Sequence, residues 1–267
     1  MDNRIDKKFQ QLKREKRKAF IPFITAGYPS LKATEKLVLA LEQNGADIVE
    51  IGIPFSDPLA DGPTIQDASF QSLKKGITLN QIFDCVLKVR KTSNIPIALM
   101  TYYNPVFHFG EKKFITKAKQ CGVDGLIIPD LPPEEALPLR KYAKRQKIAT
   151  IFFLSPTTTM ERMKKIVKAS TGFIYFVSIA GVTGARKTLP QALLSKVKKA
   201  KNMTSKPVCV GFGVSTSNHV KEIARVADGV IVGSAIIKEM KKSLHSKNMV
   251  NKVGRFVRTL SCGLKIK

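Results

Sequence analysis

Short apolar runs rich in β-branched residues alternate with longer stretches in which apolar positions recur every three or four residues. Runs of the first kind at 20–25, 47–52, 96–101, 124–128, 149–153, 173–178, 207–211 and 228–232 predict eight strands. Helical periodicity at 31–44, 64–75, 79–91, 112–121, 134–146, 160–169, 190–201 and 218–226 predicts the helices between them. A further helix at 4–18 stands in front, and a last one runs from about 238 into the carboxyl end. Ser30, Ser215 and the pair Thr158 with Glu161 give N-cap signals. Eight βα units in about 250 residues are the count and size of a (β/α)8 TIM barrel. The whole chain, 1–267, therefore reads as a single α/β TIM-barrel domain with an extra N-terminal helix. An open doubly wound sheet would show fewer parallel strands and a GxGxxG fingerprint, which is absent.

The second strand carries an acid. Side chains alternate along a strand, so Ile48, Glu50 and Gly52 share one face and Val49 and Ile51 the other. On an edge strand Glu50 would sit in solvent, but a closed barrel has no edge. Val49 and Ile51 suit the helix layer, which turns Glu50 inward, near the carboxyl ends of the strands where barrel enzymes hold their sites. An inward carboxylate without a partner is costly and is usually paired or used in chemistry. Asp57 and Asp61 follow in a loop punctuated by Pro54, Pro58, Gly62 and Pro63, where turn formation and chemistry are both open to them.

Glycines mark the opposite side of the same mouth. Gly181-Val182-Thr183-Gly184 follows the sixth predicted strand, Gly211-Phe212-Gly213 the seventh and Gly233-Ser234 the eighth. Each by itself is an ordinary tight turn. Three such stations at successive strand ends, where barrels commonly hold phosphate, predict a phosphorylated substrate, bound by backbone amides and helix starts. No lysine lies within a predicted strand, so a Schiff base has no obvious nucleophile. What remains is carboxylate acid/base chemistry in a pocket whose inward residues Phe23, Met100, Tyr102, Ile127 and Phe153 are large and mostly apolar. A flat hydrophobic group at the far end of the substrate fits that lining.

Composition adds limits. The 267 residues are 43% hydrophobic and 25% charged, as in a soluble globular protein. The four cysteines form no CxxC pair and the three histidines show no ligand spacing, so reduced thiols and no metal are expected. The amino terminus lacks the apolar core of a signal peptide, and no apolar run approaches the roughly 18 residues needed to cross a bilayer. A cytoplasmic location with no membrane association follows as the expectation. The net charge of +26 invites a nucleic-acid reading. The basic clusters at 13–18, 112–119, 140–147, 162–168 and 195–201 are instead spread over predicted helices and come with no nucleic-acid-binding motif, as solvated outer faces would be. No specific nucleic acid is expected as a partner.

The run Glu50-Ile51-Gly52-Ile53-Pro54-Phe55-Ser56-Asp57-Pro58-Leu59-Ala60-Asp61-Gly62-Pro63 resembles the signature of the tryptophan synthase alpha subunit. Further matches in the same order are Phe23-Ile24-Thr25-Ala26-Gly27-Tyr28-Pro29, Met100-Thr101-Tyr102-Tyr103-Asn104-Pro105, Ile128-Pro129-Asp130-Leu131-Pro132 and the glycine stations named above. The resemblance covers nearly the whole chain. It implies retro-aldol cleavage of indole-3-glycerol phosphate to indole and glyceraldehyde 3-phosphate, without a cofactor. It makes Glu50 the general acid/base and Asp61 the acceptor of the indole N–H. Thr183, Gly184, Gly213, Gly233 and Ser234 would hold the phosphate. Tyr175 is a candidate to position Glu50 or the substrate, and equally an ordinary core tyrosine. The implied partner is a beta subunit in an alpha2beta2 heterotetramer. That subunit would carry pyridoxal phosphate and receive indole, and Asp57 would order the loop or face it. An alternative keeps the chain as a largely non-catalytic, activating partner, which the intact Glu50 and Asp61 oppose. Ile179 stands where some relatives are basic, and the surface is more basic than the resemblance leads one to expect.

Overall fold

In the computed structural model, which describes residues 3–177, 191–211, 213–244 and 246–264, nine strands form one sheet. They are β1 (Ala19–Thr25), β2 (Val49–Gly52), β3 (Ile97–Met100), β4 (Gly125–Ile127), β5 (Ala149–Ile151), β6 (Phe153–Leu154), β7 (Ile174–Phe176), β8 (Val208–Val210) and β9 (Gly229–Val232). Every pairing is parallel, in the order β5-β4-β3-β2-β1-β9-β8-β7-β6. The two terminal strands of that order are separated only by Phe152, so the sheet closes on itself. The predicted fifth strand is thus one strand broken at Phe152, whose carbonyl still accepts from Tyr175 N at 3.1 Å.

The helices are α1 (Arg4–Arg14), α2 (Leu31–Gln43), α3 (Pro63–Leu73), α4 (Leu79–Arg90), α5 (Tyr103–Phe109), α6 (Glu111–Gln120), α7 (Leu137–Arg145), α8 (Met160–Ala169), α9 (Gln191–Asn202), α10 (Ser217–Ala224), α11 (Ser234–Lys242) and α12 (Met249–Ser261). Several expectations need correction. The predicted carboxyl-terminal helix is two helices, and α11 begins at Ser234, directly after β9. Residues 103–109, not predicted as helical, form α5. The N-caps near 158 and 215 are Thr159 and Thr216, each accepting from the amide three residues on, while Thr158 binds Ser155 N instead. The reciprocal capping box lies at Thr78 and Gln81. Helix α1 also stops short of 18. Lys16 takes a left-handed conformation (φ 53°), and Arg17 and Lys18 then pair with Asp47 and Asp228. Among the described residues no helix is long and apolar enough to cross a membrane.

Strand alternation sorts the core into two layers. Phe20, Ile24, Val49, Ile51, Leu99, Ile174, Val210 and Val230 face outward and pack with the helices. Ile21, Ile48, Ala98, Ile127, Ala149, Ile151, Phe173, Cys209 and Ile231 fill the barrel interior. The interior layer also takes in Ile5, Phe9 and Leu12, so the apolar face of α1 plugs the amino-terminal end of the barrel. Burial of those three side chains contributes roughly 1.5–3 kcal/mol each. Asn3 fastens the plug by donating to Asp124 O and Lys147 O, and Arg4 by pairing with Asp124 at 3.0 Å. With that end sealed, the open end is the one where the strands terminate and Met100, Phe153 and Tyr175 remain only partly buried.

Candidate active site at the barrel mouth

Glu50 sits on β2 opposite Phe23 of β1 and Ala98 of β3. It is 0% exposed, and among the described residues neither carboxylate oxygen has a hydrogen-bond partner. Burial first, and the charge of Asp61 second, push its pKa up to about 8. The closed sheet thus turns Glu50 inward as the alternation predicts, and leaves it unpaired.

Asp61 reaches the same space from the β2 loop. Its pKa rises to about 6 because burial outweighs the hydrogen bond from Tyr102. Tyr102, at the end of β3, also accepts from Ala60 N at 2.9 Å and stacks on Phe55 with ring centroids 5.2 Å apart. Sequence reasoning took Tyr102 only as a pocket wall. Its hydroxyl in fact fixes the loop that carries Asp61. Asp130, after β4, accepts from Tyr103 N at 2.9 Å, so the loops after β2, β3 and β4 are tied in series. Neither Asp130 nor Phe55 was singled out, although both fall in motifs that were. Asp57 lies exposed on the same loop and accepts from its neighbour Ser56 Oγ, away from Glu50.

The walls follow from register. Met100 faces Gly52 on one side and Ile127 on the other, and Phe153 pairs with Tyr175. The Phe153 and Tyr175 rings lie 4.8 Å apart. A Cβ on Gly211 would fall 2.6 Å from the Tyr175 hydroxyl, so glycine there lets the tyrosine reach across β8. Burial, then the charges of Glu50 and Asp61, hold the Tyr175 phenol well above its ordinary pKa. Tyr175 is therefore part of the same mouth. A Cβ on Gly52 would lie 2.5 Å from the Phe23 ring and one on Gly233 3.3 Å from it. Phe23 thus fills the gap between β2 and β9.

On the far side, Gly213 has φ +55° and is exposed, and Gly233 caps α11 without any side-chain cap bond. The first intrahelical bonds to Gly233 O come from Ile236 and Ile237 at 2.8 and 3.0 Å. The Ser234 and Ala235 amides, ahead of those donors, are suited to an anion. Thr183, Gly184 and Ile179 lie outside the described residues, as does Phe212.

The mouth is also divided by charge. The segments 53–66, 101–111 and 128–139 contain no lysine or arginine, in a chain with 46 of them, but hold Asp57, Asp61, Glu111, Asp130, Glu134 and Glu135. The most exposed large apolar side chains, Leu59 at 92% and Phe107 at 65%, belong to this sector.

The profile of the tryptophan synthase alpha chain family matches residues 9–264. The tryptophan synthase alpha chain of Geotalea daltonii is 46% identical over 261 residues, covering 98% of both chains. That of a Thermoanaerobacter species is 46% identical, over 97% of this chain and 98% of its own. Among solved structures, tryptophan synthase subunit alpha from Legionella pneumophila superposes with a TM-score of 0.92 at 36% identity, over 99% of each chain. A chain of Mycobacterium tuberculosis tryptophan synthase gives 0.91 at 33% identity, over 100% of both. Barrel, mouth and whole-length similarity agree, and the chain belongs to the tryptophan synthase alpha chain family.

Proposed function

We propose that the chain, as a single barrel domain without a cofactor of its own, cleaves indole-3-glycerol phosphate into indole and glyceraldehyde 3-phosphate. The observation that carries the reading is Glu50, wholly buried, unpartnered and held near pKa 8 beside an ionisable Asp61. At neutral pH Glu50 is a carboxylic acid with a proton to give. It protonates ring carbon 3 of the indole, and Asp61, as carboxylate, accepts the ring N–H and stabilises the cation that forms. The carboxylate left on Glu50 then takes the proton of the adjacent glycerol hydroxyl. That oxygen becomes the aldehyde, the carbon to carbon bond breaks, and its electron pair returns to the ring. Glu50 ends as it began, protonated, so one residue serves as acid and then base.

The ring end of the substrate lies against Phe23, Met100, Ile127 and Phe153, with Tyr102 holding Asp61 and Tyr175 bordering Glu50. Gly213, Gly233 and Ser234, with Thr183 and Gly184, take the phosphate. The acidic, apolar sector with Asp57 at its rim is the docking surface for the beta subunit of an alpha2beta2 assembly, where pyridoxal phosphate chemistry consumes the indole. Its lack of cations supports a partner surface distinct from the basic shell. The reading is tested by following glyceraldehyde 3-phosphate release from indole-3-glycerol phosphate, with and without the cognate beta subunit. Release above background, increased by the subunit, is the expected result. No release in either case would refute it.

A further inference from the structure

The sheet order leaves one strand between the two halves of the mouth. β1 lies between β2, with Glu50, and β9, which leads into Gly233 and Ser234. A substrate held by its ring on the β2 to β4 side and by its phosphate on the β8 to β9 side must run its connecting chain past the end of β1. Alternation puts Phe23 and then Thr25 on the inward row there. Phe23 offers a ring face only. Thr25 lies opposite Gly52, which has no side chain to cover it. It is 1% exposed, and among the described residues its hydroxyl has no hydrogen-bond partner. A buried hydroxyl left unsatisfied is destabilising, and valine would fill the same volume without that cost. Within the mouth, Thr25 and Glu50 share this condition.

On the lyase reading above, we propose that Thr25 is a substrate-positioning residue whose hydroxyl binds the second glycerol hydroxyl, the one carried unchanged into the product. The first glycerol hydroxyl loses its proton to Glu50 and becomes the aldehyde oxygen. The second keeps its proton, so a neutral group that can both donate and accept suits it, where a base would not. Holding it fixes rotation about the bond between the two carbinol carbons. The first hydroxyl then points at Glu50.

The test pairs Thr25→Val and Thr25→Ser with two substrates, indole-3-glycerol phosphate and its analogue lacking the second hydroxyl. Thr25→Val should lower kcat/KM for the natural substrate about tenfold, the scale of one hydrogen bond in a dry site, and leave the deoxy analogue nearly unchanged. Thr25→Ser should stay close to wild type on both. Because the hydroxyl has no partner among the described residues, Thr25→Val should melt no lower than wild type. An equal loss on both substrates, no loss on either, or a lower melting temperature for Thr25→Val would overturn the proposal. Should the wild type bind both ligands but release no glyceraldehyde 3-phosphate, the lyase reading fails alone. Thr25 is then judged by equilibrium binding, where Thr25→Val must abolish the preference for the hydroxylated ligand.

Discussion

At the amino-terminal end of the barrel, Asp124 is 3% exposed, nearly as buried as Glu50 at the other end. Asp124 is met by Arg90 at 2.9 Å, Arg4 at 3.0 Å and the Ile97 amide at 3.0 Å. Glu50 is met by nothing among the described residues. Both would suffer the same penalty for carrying a bare charge away from water. One end of the barrel meets the charge with cations, while at the other burial raises the acid's pKa to about 8 and so holds it protonated at neutral pH. Asp124 sits where strand ends, the α1 plug and helix α4 meet, and ties them together. Glu50 stands at the open mouth, where under the proposed function the substrate supplies the missing contacts. Burial therefore does not distinguish these two carboxylates, whereas satisfaction does.

The largest expected effect separates the two on activity. Glu50→Gln keeps the shape and loses the transferable proton, so cleavage should fall by about 10²–10⁴-fold, the range for lost general acid/base catalysis. The same variant should gain stability at alkaline pH. Glu50 has a folded pKa near 8, above its unfolded value of 4.5. The native state therefore holds more protons than the unfolded state across that window, and wild-type stability falls as pH rises through it. Glutamine has no such dependence. Denaturant titrations at pH 4 and pH 9 should show the variant's advantage only at the higher pH, and an equal advantage at both would break the contrast with Asp124.

Asp124→Ala should do the reverse. It leaves Arg90, which is 8% exposed in its side chain and whose pKa burial lowers to about 10, with the carbonyls of Gly122, Ser93 and Ile95 but no carboxylate to offset its charge. Removing one member of a buried pair costs roughly 3–5 kcal/mol. Urea unfolding should report that loss, while kcat of the folded fraction stays near wild type. A folded Asp124→Ala protein that had lost cleavage as Glu50→Gln does would end the division of labour between the two ends.

The pH profile should carry both groups of the mouth. Under the proposed mechanism Asp61 must be ionised to receive the ring N–H, and Glu50 protonated to begin the reaction. Burial raises the first to about 6 and the second to about 8. kcat/KM should be bell-shaped, falling below pH 6 as Asp61 gains its proton and above pH 8 as Glu50 loses its own. Asp61→Asn should abolish the acid limb. A flat profile from pH 5 to pH 9 would show that neither carboxylate has the predicted role.

Period-two alternation was enough to turn Glu50 inward, because Val49 and Ile51 needed the helix layer and closure removed the only solvent-facing alternative. The strand positions were legible for the same reason, since each buried strand is a short apolar run. What stayed hidden depended on distant partners. Residues 103–109 show too short and aromatic a pattern to announce α5, whose start is held by Asp130 from another loop. The break at Phe152 falls inside the apolar run Ile151-Phe152-Phe153 and leaves no mark on local composition. Asp124 and Glu50 look alike in one dimension, each an acid bordering an apolar run, and only the tertiary positions of Arg4 and Arg90 tell them apart. Thr25 reads as one more strand threonine until its hydroxyl is found without a partner.

Tyr102→Phe gives the finest test of the contrast, because it alters the support of the mouth without touching Glu50. The substitution deletes one hydroxyl that accepts from Ala60 N and donates to Asp61, and keeps the ring that stacks on Phe55. Of these, the bond to Asp61 lowers that residue's pKa, so its loss should leave burial unopposed and move the acid limb of kcat/KM to higher pH. The alkaline limb belongs to Glu50 and should stay near pH 8, narrowing the bell from one side. Loss of the Ala60 contact loosens the loop, for a further decrease in kcat/KM of about tenfold, equivalent to one hydrogen bond. Stability at neutral pH should change by no more than about 1.5 kcal/mol, far less than for Asp124→Ala. An acid limb that shifts while the alkaline limb holds would assign the two limbs to different residues. Movement of both together would mean that Asp61 and Glu50 titrate as one unit, and the independent roles given to them at the mouth would have to be merged.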